Sequence, residues 1–306
     1  MVRGSELALL QELHEEVSLS ELAERLDRSR SYTSELVSGL EEQGLVRTRR
    51  EGRRKLVAPA ESKVVELFHH LVQTYPHVDF PELLTRKTIA CLYYLDTPVT
   101  VAELAELTGN YRNTVNRVVN RLQNRGIVQK QDSRYRLNDD FLVLHEFATE
   151  YVHHRHRQTA AAQATSYTIL WESFTEFLVQ TGDPVDNVAF HRTGPGRFQA
   201  FGLPLLTTNR YHYLYAEDRH DLTAPDVVCH TLLIDQGTRY QTYCLLLLAQ
   251  EDPDRDDLRD AAEAYDVSAL VEDLLTYLET RGAARTTEQP TWGEFEDVAT
   301  DYGVAV

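Results

Sequence analysis

LSELAERLDRSRSYTSELVSGLEEQGLV, residues 19–46, and VAELAELTGNYRNTVNRVVNRLQNRGIV, residues 101–128, align without a gap at an offset of 82, with 9 of 28 positions identical. The identities include Leu22/Leu104, Ala23/Ala105, Arg30/Arg112, Val37/Val119, Leu40/Leu122 and Gly44/Gly126. Two copies are too few for a solenoid, so the pattern is a duplicated domain. Each copy predicts a short helix, a tight turn, a longer helix and a hairpin. Ser20 and Thr100 are the expected N-caps of the short helix. Asp27 and Gly109 are placed to make the tight turn. In the longer helix Thr33, Leu36, Val37 and Leu40 recur at i, i+3, i+4 and i+7, an apolar stripe for a core. Val115, Val118, Val119 and Leu122 repeat it, and Gly44 and Gly126 end the two helices.

The opposite helix face carries the functional signal. Ser31, Ser34 and Ser38 correspond to Asn113, Asn116 and Asn120, a small polar stripe without carboxylates in both copies. Asn can bond adenine bidentately and Ser can meet bases or phosphates, so the stripe suits a helix lying in a major groove. Arg30 and Arg112 stand at the helix starts, and Arg117 and Arg121 add charge to the second. Glu35, Glu41 and Glu42 intrude on the first. Behind each helix comes a hairpin pattern, 45–59 around Glu51-Gly52 and 127–139 around Asp132-Ser133. The first hairpin holds Arg47, Arg49, Arg50, Arg53, Arg54 and Lys55; the second holds Lys130, Arg134 and Arg136. A basic hairpin directly behind a helix-turn-helix is placed to reach phosphates or a minor groove.

On SELAERL…SYTSELVSGLEEQGLV and AELAELTG…NTVNRVVNRLQNRGIV, each with its hairpin, the chain resembles winged helix-turn-helix regulators of the MarR, ArsR and TrmB-like types, especially the tandem versions common in archaea. The resemblance covers about half the chain and implies double-stranded DNA as the partner. Asp27 departs from the usual Gly at its turn.

A net charge of −17 argues at first against nucleic acid, but its distribution reverses the argument. Residues 1–157 hold 22 Lys+Arg against 23 Asp+Glu, whereas residues 158–306 hold 9 against 25. Only four of the basic residues are Lys. An acid-rich, Lys-poor surface resembles that of proteins from salt-loving archaea, kept soluble by hydrated carboxylates. High salt weakens counterion release, so such a DNA binder would lean on base contacts and on locally concentrated Arg. No apolar run reaches 18 residues, and the N-terminal stretch has acids where a signal peptide is apolar. The expectation is a cytoplasmic protein with no membrane association. The three cysteines are far apart, which predicts buried reduced thiols.

The expected fold is α+β: two tandem winged helix-turn-helix domains followed by a mixed α/β C-terminal domain. The boundaries are 1–59, a linker helix at 60–80, 81–138, a second linker helix at 139–166, and an acidic regulatory or oligomerisation domain at 167–306. In that last domain TSYTILWES, TEFLVQT, Asn187–His191, Tyr211–Tyr215 and Thr242–Leu248 are expected strands. Helices are expected at 225–235, 255–265 and 267–281, with an ordered tail. The Gly194-Pro195-Gly196-Arg197 segment reads as a turn, the acidic run 251–257 as solvated surface, and His153, His154 and His156 as exposed side chains of a linker helix. No catalytic signature, metal site or cofactor site is expected, so the protein reads as no enzyme. The function is then a sequence-specific transcriptional regulator, with a homodimer and a small-molecule or protein effector at the C-terminal domain as further partners. The alternatives are a plasmid or viral replication initiator or partition protein, and a tandem winged-helix protein-interaction scaffold.

Overall fold

The computed structural model describes residues 1–205, 210–219 and 221–306. Its contacts divide the chain into two bodies, Met1–Gln158 and Thr159–Val306. The architecture is α+β, with two helix-turn-helix units in the first body and a mixed sheet-and-helix second body.

The first copy runs α1 (Gly4–Glu12), β1 (Val17–Ser18), α2 (Leu19–Arg25), α3 (Arg30–Glu42), β2 (Val46–Glu51) and β3 (Arg54–Pro59). After α4 (Lys63–Thr74) and the short α5 (Phe80–Leu83), the second repeats the order: α6 (Arg86–Tyr93), β4 (Val99–Thr100), α7 (Val101–Thr108), α8 (Arg112–Asn124), β5 (Val128–Gln131) and β6 (Arg134–Leu137). The offset of 82 maps both ends of α3 onto those of α8. Each copy folds its strands into a three-stranded antiparallel sheet, ordered β1-β3-β2 and β4-β6-β5. The expected stripes of α3 and α8 are buried, from Thr33 to Leu40 and from Val115 to Leu122.

Local chemistry explains the repeat. The tight turns adopt one geometry with different residues. Asp27 has φ 51 and Gly109 φ 62, and the following amides, of Arg28 and Asn110, both return to the alanine carbonyls at 3.0 Å. Asp is among the few L residues that tolerate the left-handed region, so the departure from Gly leaves the turn intact. One cap differs from expectation. Ser18, not Ser20, caps α2, accepting the Glu21 amide at 3.2 Å. Ser18 stands 82 residues before Thr100, which caps α7 in a capping box with Glu103. The first hairpin turns on Gly52-Arg53, one residue later than expected, because Glu51 pairs with Arg54. The second turns on Asp132-Ser133 as expected.

A long helix, α9 (Leu142–Ala161), follows the second copy. Its histidines are not the exposed side chains expected. His156 is buried, and the His154 ring lies 2.8 Å from the Gln43 carbonyl at the end of α3. A helix that must cover neighbouring elements draws such amphipathic rings inward, and the sequence pattern does not reveal which face is covered.

In the second body β7 (Tyr167–Glu172), β8 (Phe177–Thr181), β9 (Phe190–Arg192) and β10 (Tyr211–Tyr215) form a four-stranded antiparallel sheet ordered β7-β8-β10-β9. The expected strand at 187–191 thus starts later, at Phe190. The helices are α10 (Ala224–Ile234), α11 (Thr238–Glu251), α12 (Arg255–Ala264), α13 (Ser268–Glu279) and α14 (Trp292–Tyr302). The expected strand at Thr242–Leu248 is instead the middle of α11. Cys244 and Leu245–Leu248 are at most 4% exposed, so this run of the helix is apolar all round and shows no 3.6-residue period. Gly194-Pro195-Gly196-Arg197 opens a 3₁₀ helix, Gly194–Phe201, rather than a bare turn. Gly194, which faces the Ile234 side chain of α10, has φ 59, in the left-handed region that favours glycine. Asp254 in the acidic run caps α12, accepting the Asp256 amide at 2.8 Å. The three cysteines are buried and unbridged. No helix among the described residues is long and apolar enough to cross a membrane.

Candidate nucleic-acid interface

Burying one stripe of α3 and α8 fixes what the other face presents. On α8 that face consists of Arg112, Asn113, Asn116, Arg117 and Asn120, all exposed, and the helix contains no carboxylate from end to end. Arg121 departs from the face. Its guanidinium donates to the Leu83 carbonyl at 3.0 Å and to Thr88 Oγ1 at 2.9 Å, tying α8 to the lead helix of its own copy. On α3 Arg30, Ser31 and Ser38 are exposed and Ser34 half-buried. The Ser38 hydroxyl donates to the Ser34 carbonyl at 3.0 Å, leaving its oxygen as an acceptor.

The first hairpin faces this helix across an open groove lined by Arg30, Ser31, Ser34, Ser38, Arg50, Arg53 and Lys55, with Glu35 among them. Arg54 joins Arg30, Arg53 and Lys55 around an adjoining depression. Strand alternation sends Arg47 and Arg49 elsewhere. Arg49 meets Glu16 through two charge-assisted hydrogen bonds of 2.7 and 2.5 Å, and that contact holds the Glu16 carboxyl below its usual range. Arg47 pairs with Glu61 at 2.9 Å and Lys55 more loosely with Glu41 at 3.7 Å. Among the described residues Arg30, Arg50, Arg53, Arg54, Arg112 and Arg117 have no carboxylate partner within salt-bridge distance.

The second hairpin is different. Arg134 is bound to Glu103 at 3.1 Å and to the Pro98 carbonyl at 2.8 Å. Glu103 is held below the usual carboxylate range, first by the Thr100 amide and further by Arg134. Arg136 pairs with Asp139 at 2.7 Å, and Lys130 sits 5.2 Å above the Tyr135 ring. Each cation of this hairpin has an intramolecular partner.

Two aromatic side chains escape sequence reasoning. Tyr111 is 87% exposed at the N-cap of α8, where it makes no capping bond, and Tyr32 is 40% exposed on α3. Tyr111 occupies the place that Ser29 fills as a cap in the first copy. An aromatic at a position that favours Ser, Thr, Asp or Asn is the signal that could have found it.

The class these elements define is a protein with two helix-turn-helix DNA-binding domains. Residues 7–50 match the IclR helix-turn-helix domain and residues 67–140 the Crp-like helix-turn-helix domain, where the sequence reading named MarR, ArsR and TrmB-like units. Residues 187–304 match the family model HVO_2833, C-terminal. Neither a curated protein nor a solved structure matches the chain. The two matched domains mark the chain as a DNA-binding regulator of transcription.

Proposed function

We propose that the protein is a sequence-specific double-stranded DNA-binding regulator in which α3 and α8 enter major grooves and the hairpins act as wings. The observation that carries this reading is the outer face of α8: three Asn and two Arg, all exposed and carboxylate-free, on a chain with 48 acidic residues. Exposed surface in so acidic a protein would ordinarily carry Asp or Glu, so their exclusion from this helix implies an anionic partner. Asn113, Asn116 and Asn120 offer the amide that pairs bidentately with adenine. Arg112, with Tyr111, stands where a helix N-terminus meets phosphate.

The wings contribute unequally in this reading. Arg50, Arg53, Arg54 and Lys55 of the first reach the backbone or a minor groove, with Arg30 beside them. In the second, Lys130, Arg134 and Arg136 brace the hairpin and contribute field rather than direct contact. The domain division at 1–59, 81–138 and 167–306 then assigns recognition to the first two parts. The acidic third part takes regulation, through a homodimer contact or a small-molecule or protein effector. The halophilic composition fits a binder that relies on base contacts where salt screens phosphates.

The test is selection of bound duplexes from a random library by the full chain, with affinity for the winning and for scrambled duplexes measured across salt. The expected result is one enriched motif bound at least 10³-fold more tightly than scrambled DNA, the lower range for specific recognition. Enrichment of no motif would overturn the proposal.

A further inference from the structure

We infer that α3 and α8 read unlike half-sites, and that Glu35 selects cytosine at the position where Arg117 selects guanine. The inference rests on the reading proposed above and adds the identity of the bases. The offset that superposes the two helices pairs Glu35 with Arg117, so one recognition position carries opposite charge in the two copies. Both side chains are exposed, and Glu35 lines the same groove as Ser31, Ser34 and Ser38 on one wall and Arg50 and Arg53 on the other. Among the described residues its ion-pair partner is Arg3, 4.0 Å away, with both side chains more than half exposed. A pair that loose and solvated is worth little, so Glu35 is available to another donor.

A carboxylate facing DNA is repelled by phosphate and by every acceptor on the base edges. It gains only from an exocyclic amino group, and the major groove displays two: N4 of cytosine and N6 of adenine. Adenine sets the acceptor N7 beside its amino group, whereas the cytosine ring presents no acceptor on that edge, which favours cytosine. Arg117 is the converse, a fork of donors matched to O6 and N7 of guanine. The flanking residues sharpen the difference, three Ser in one helix against three Asn in the other. A single chain therefore reads two different sequences, and its site is neither a direct nor an inverted repeat.

The experiment is selection from a random duplex library with the full chain, alongside the Glu35→Gln, Glu35→Arg and Arg117→Ala variants. Glu35→Arg should replace one cytosine of the wild-type motif by guanine. Glu35→Gln should lower cytosine preference there by about fivefold to a hundredfold, the range of one base contact. Arg117→Ala should relax a guanine elsewhere in the site and leave the cytosine. Circular dichroism checks that these exposed substitutions leave the fold intact. If both Glu35 variants select the wild-type motif and bind all duplexes more tightly, Glu35 only repels and the inference fails. A wild-type chain that enriches no motif would instead sink the DNA-binding reading itself.

Discussion

The two helix-turn-helix copies share a backbone plan but divide their charges oppositely. In the first, the hairpin carries cations without carboxylate partners among the described residues (Arg50, Arg53 and Arg54), while α3 presents Ser and the acids Glu35, Glu41 and Glu42. In the second, the hairpin's cations are all engaged, while α8 presents Asn113, Asn116, Asn120, Arg112 and Arg117. A duplicated domain that keeps its core and exchanges its surface can separate backbone attraction from base reading. The same exchange occurs inside. Glu6, buried in α1, binds Arg3 at 2.7 Å and Gln43 at 3.2 Å; at the equivalent place Thr88 accepts from Arg121. A Cβ on Gly39, the counterpart of Arg121, would stand 2.5 Å from the Glu6 carboxylate, so the first copy leaves that space to an acid and the second fills it with a base.

The largest expected effect tests whether the first hairpin supplies the electrostatic hold. Arg50, Arg53 and Arg54 all changed to Ala should weaken binding to every duplex alike and flatten the salt slope by about 0.9 per lost phosphate contact. The same treatment of Arg134 and Arg136 should leave the slope nearly unchanged. Equal slopes for the two sets would erase the proposed asymmetry.

Next in size are the Asn residues of α8. Asn116→Ala or Asn120→Ala should cost on the order of 1–3 kcal/mol of discrimination at one or two base pairs if the bond is bidentate. Ser34→Ala, the counterpart of Asn116, should cost less. A binding assay on operator and scrambled DNA decides, because equal losses on both would reduce Asn116 and Asn120 to backbone contacts.

The two turns provide a smaller effect on stability. Gly109→Ala forces a Cβ into the left-handed region and should destabilise by about 1–2 kcal/mol, whereas Asp27→Gly should stabilise by up to about 1 kcal/mol. Chemical denaturation followed by far-UV circular dichroism measures both. A neutral Gly109→Ala would mean that the turn is free to relax.

The smallest effect concerns pH. Burial pushes the Glu6 carboxyl up, but hydrogen bonds from Arg3 and Gln43 outweigh it and the group lies below its ordinary range. A depressed acid stabilises above its unfolded pKa of about 4.5, and that contribution is lost as pH falls through the lower folded value. α1 should therefore loosen before α6 in mild acid, since the equivalent place in the second copy, Thr88 against Arg121, holds no carboxyl. Amide hydrogen exchange in α1 and α6 between pH 5 and 3 reads the two copies separately, and Glu6→Gln should remove the difference. Identical pH responses in α1 and α6 of the wild type would refute this account.

Much of the fold is legible in the residues because it depends on spacing along the chain. The offset of 82, the stripes of α3 and α8, the turns at Asp27 and Gly109 and the second hairpin's turn are all local patterns. A helix period or a left-handed turn is decided within a few residues, so the sequence alone states it. The tertiary structure decided which of the basic residues are left for a partner. Arg49 is neutralised by Glu16, 33 positions away, and Arg121 is held by a carbonyl 38 positions away. Composition counts both as cations of the proposed DNA surface. It equally decided that Cys244–Leu248 is helix, since an apolar run buried on every side has no polar face to announce its period. Charge pairing and all-round burial depend on distance in space, which no local pattern in this chain encodes.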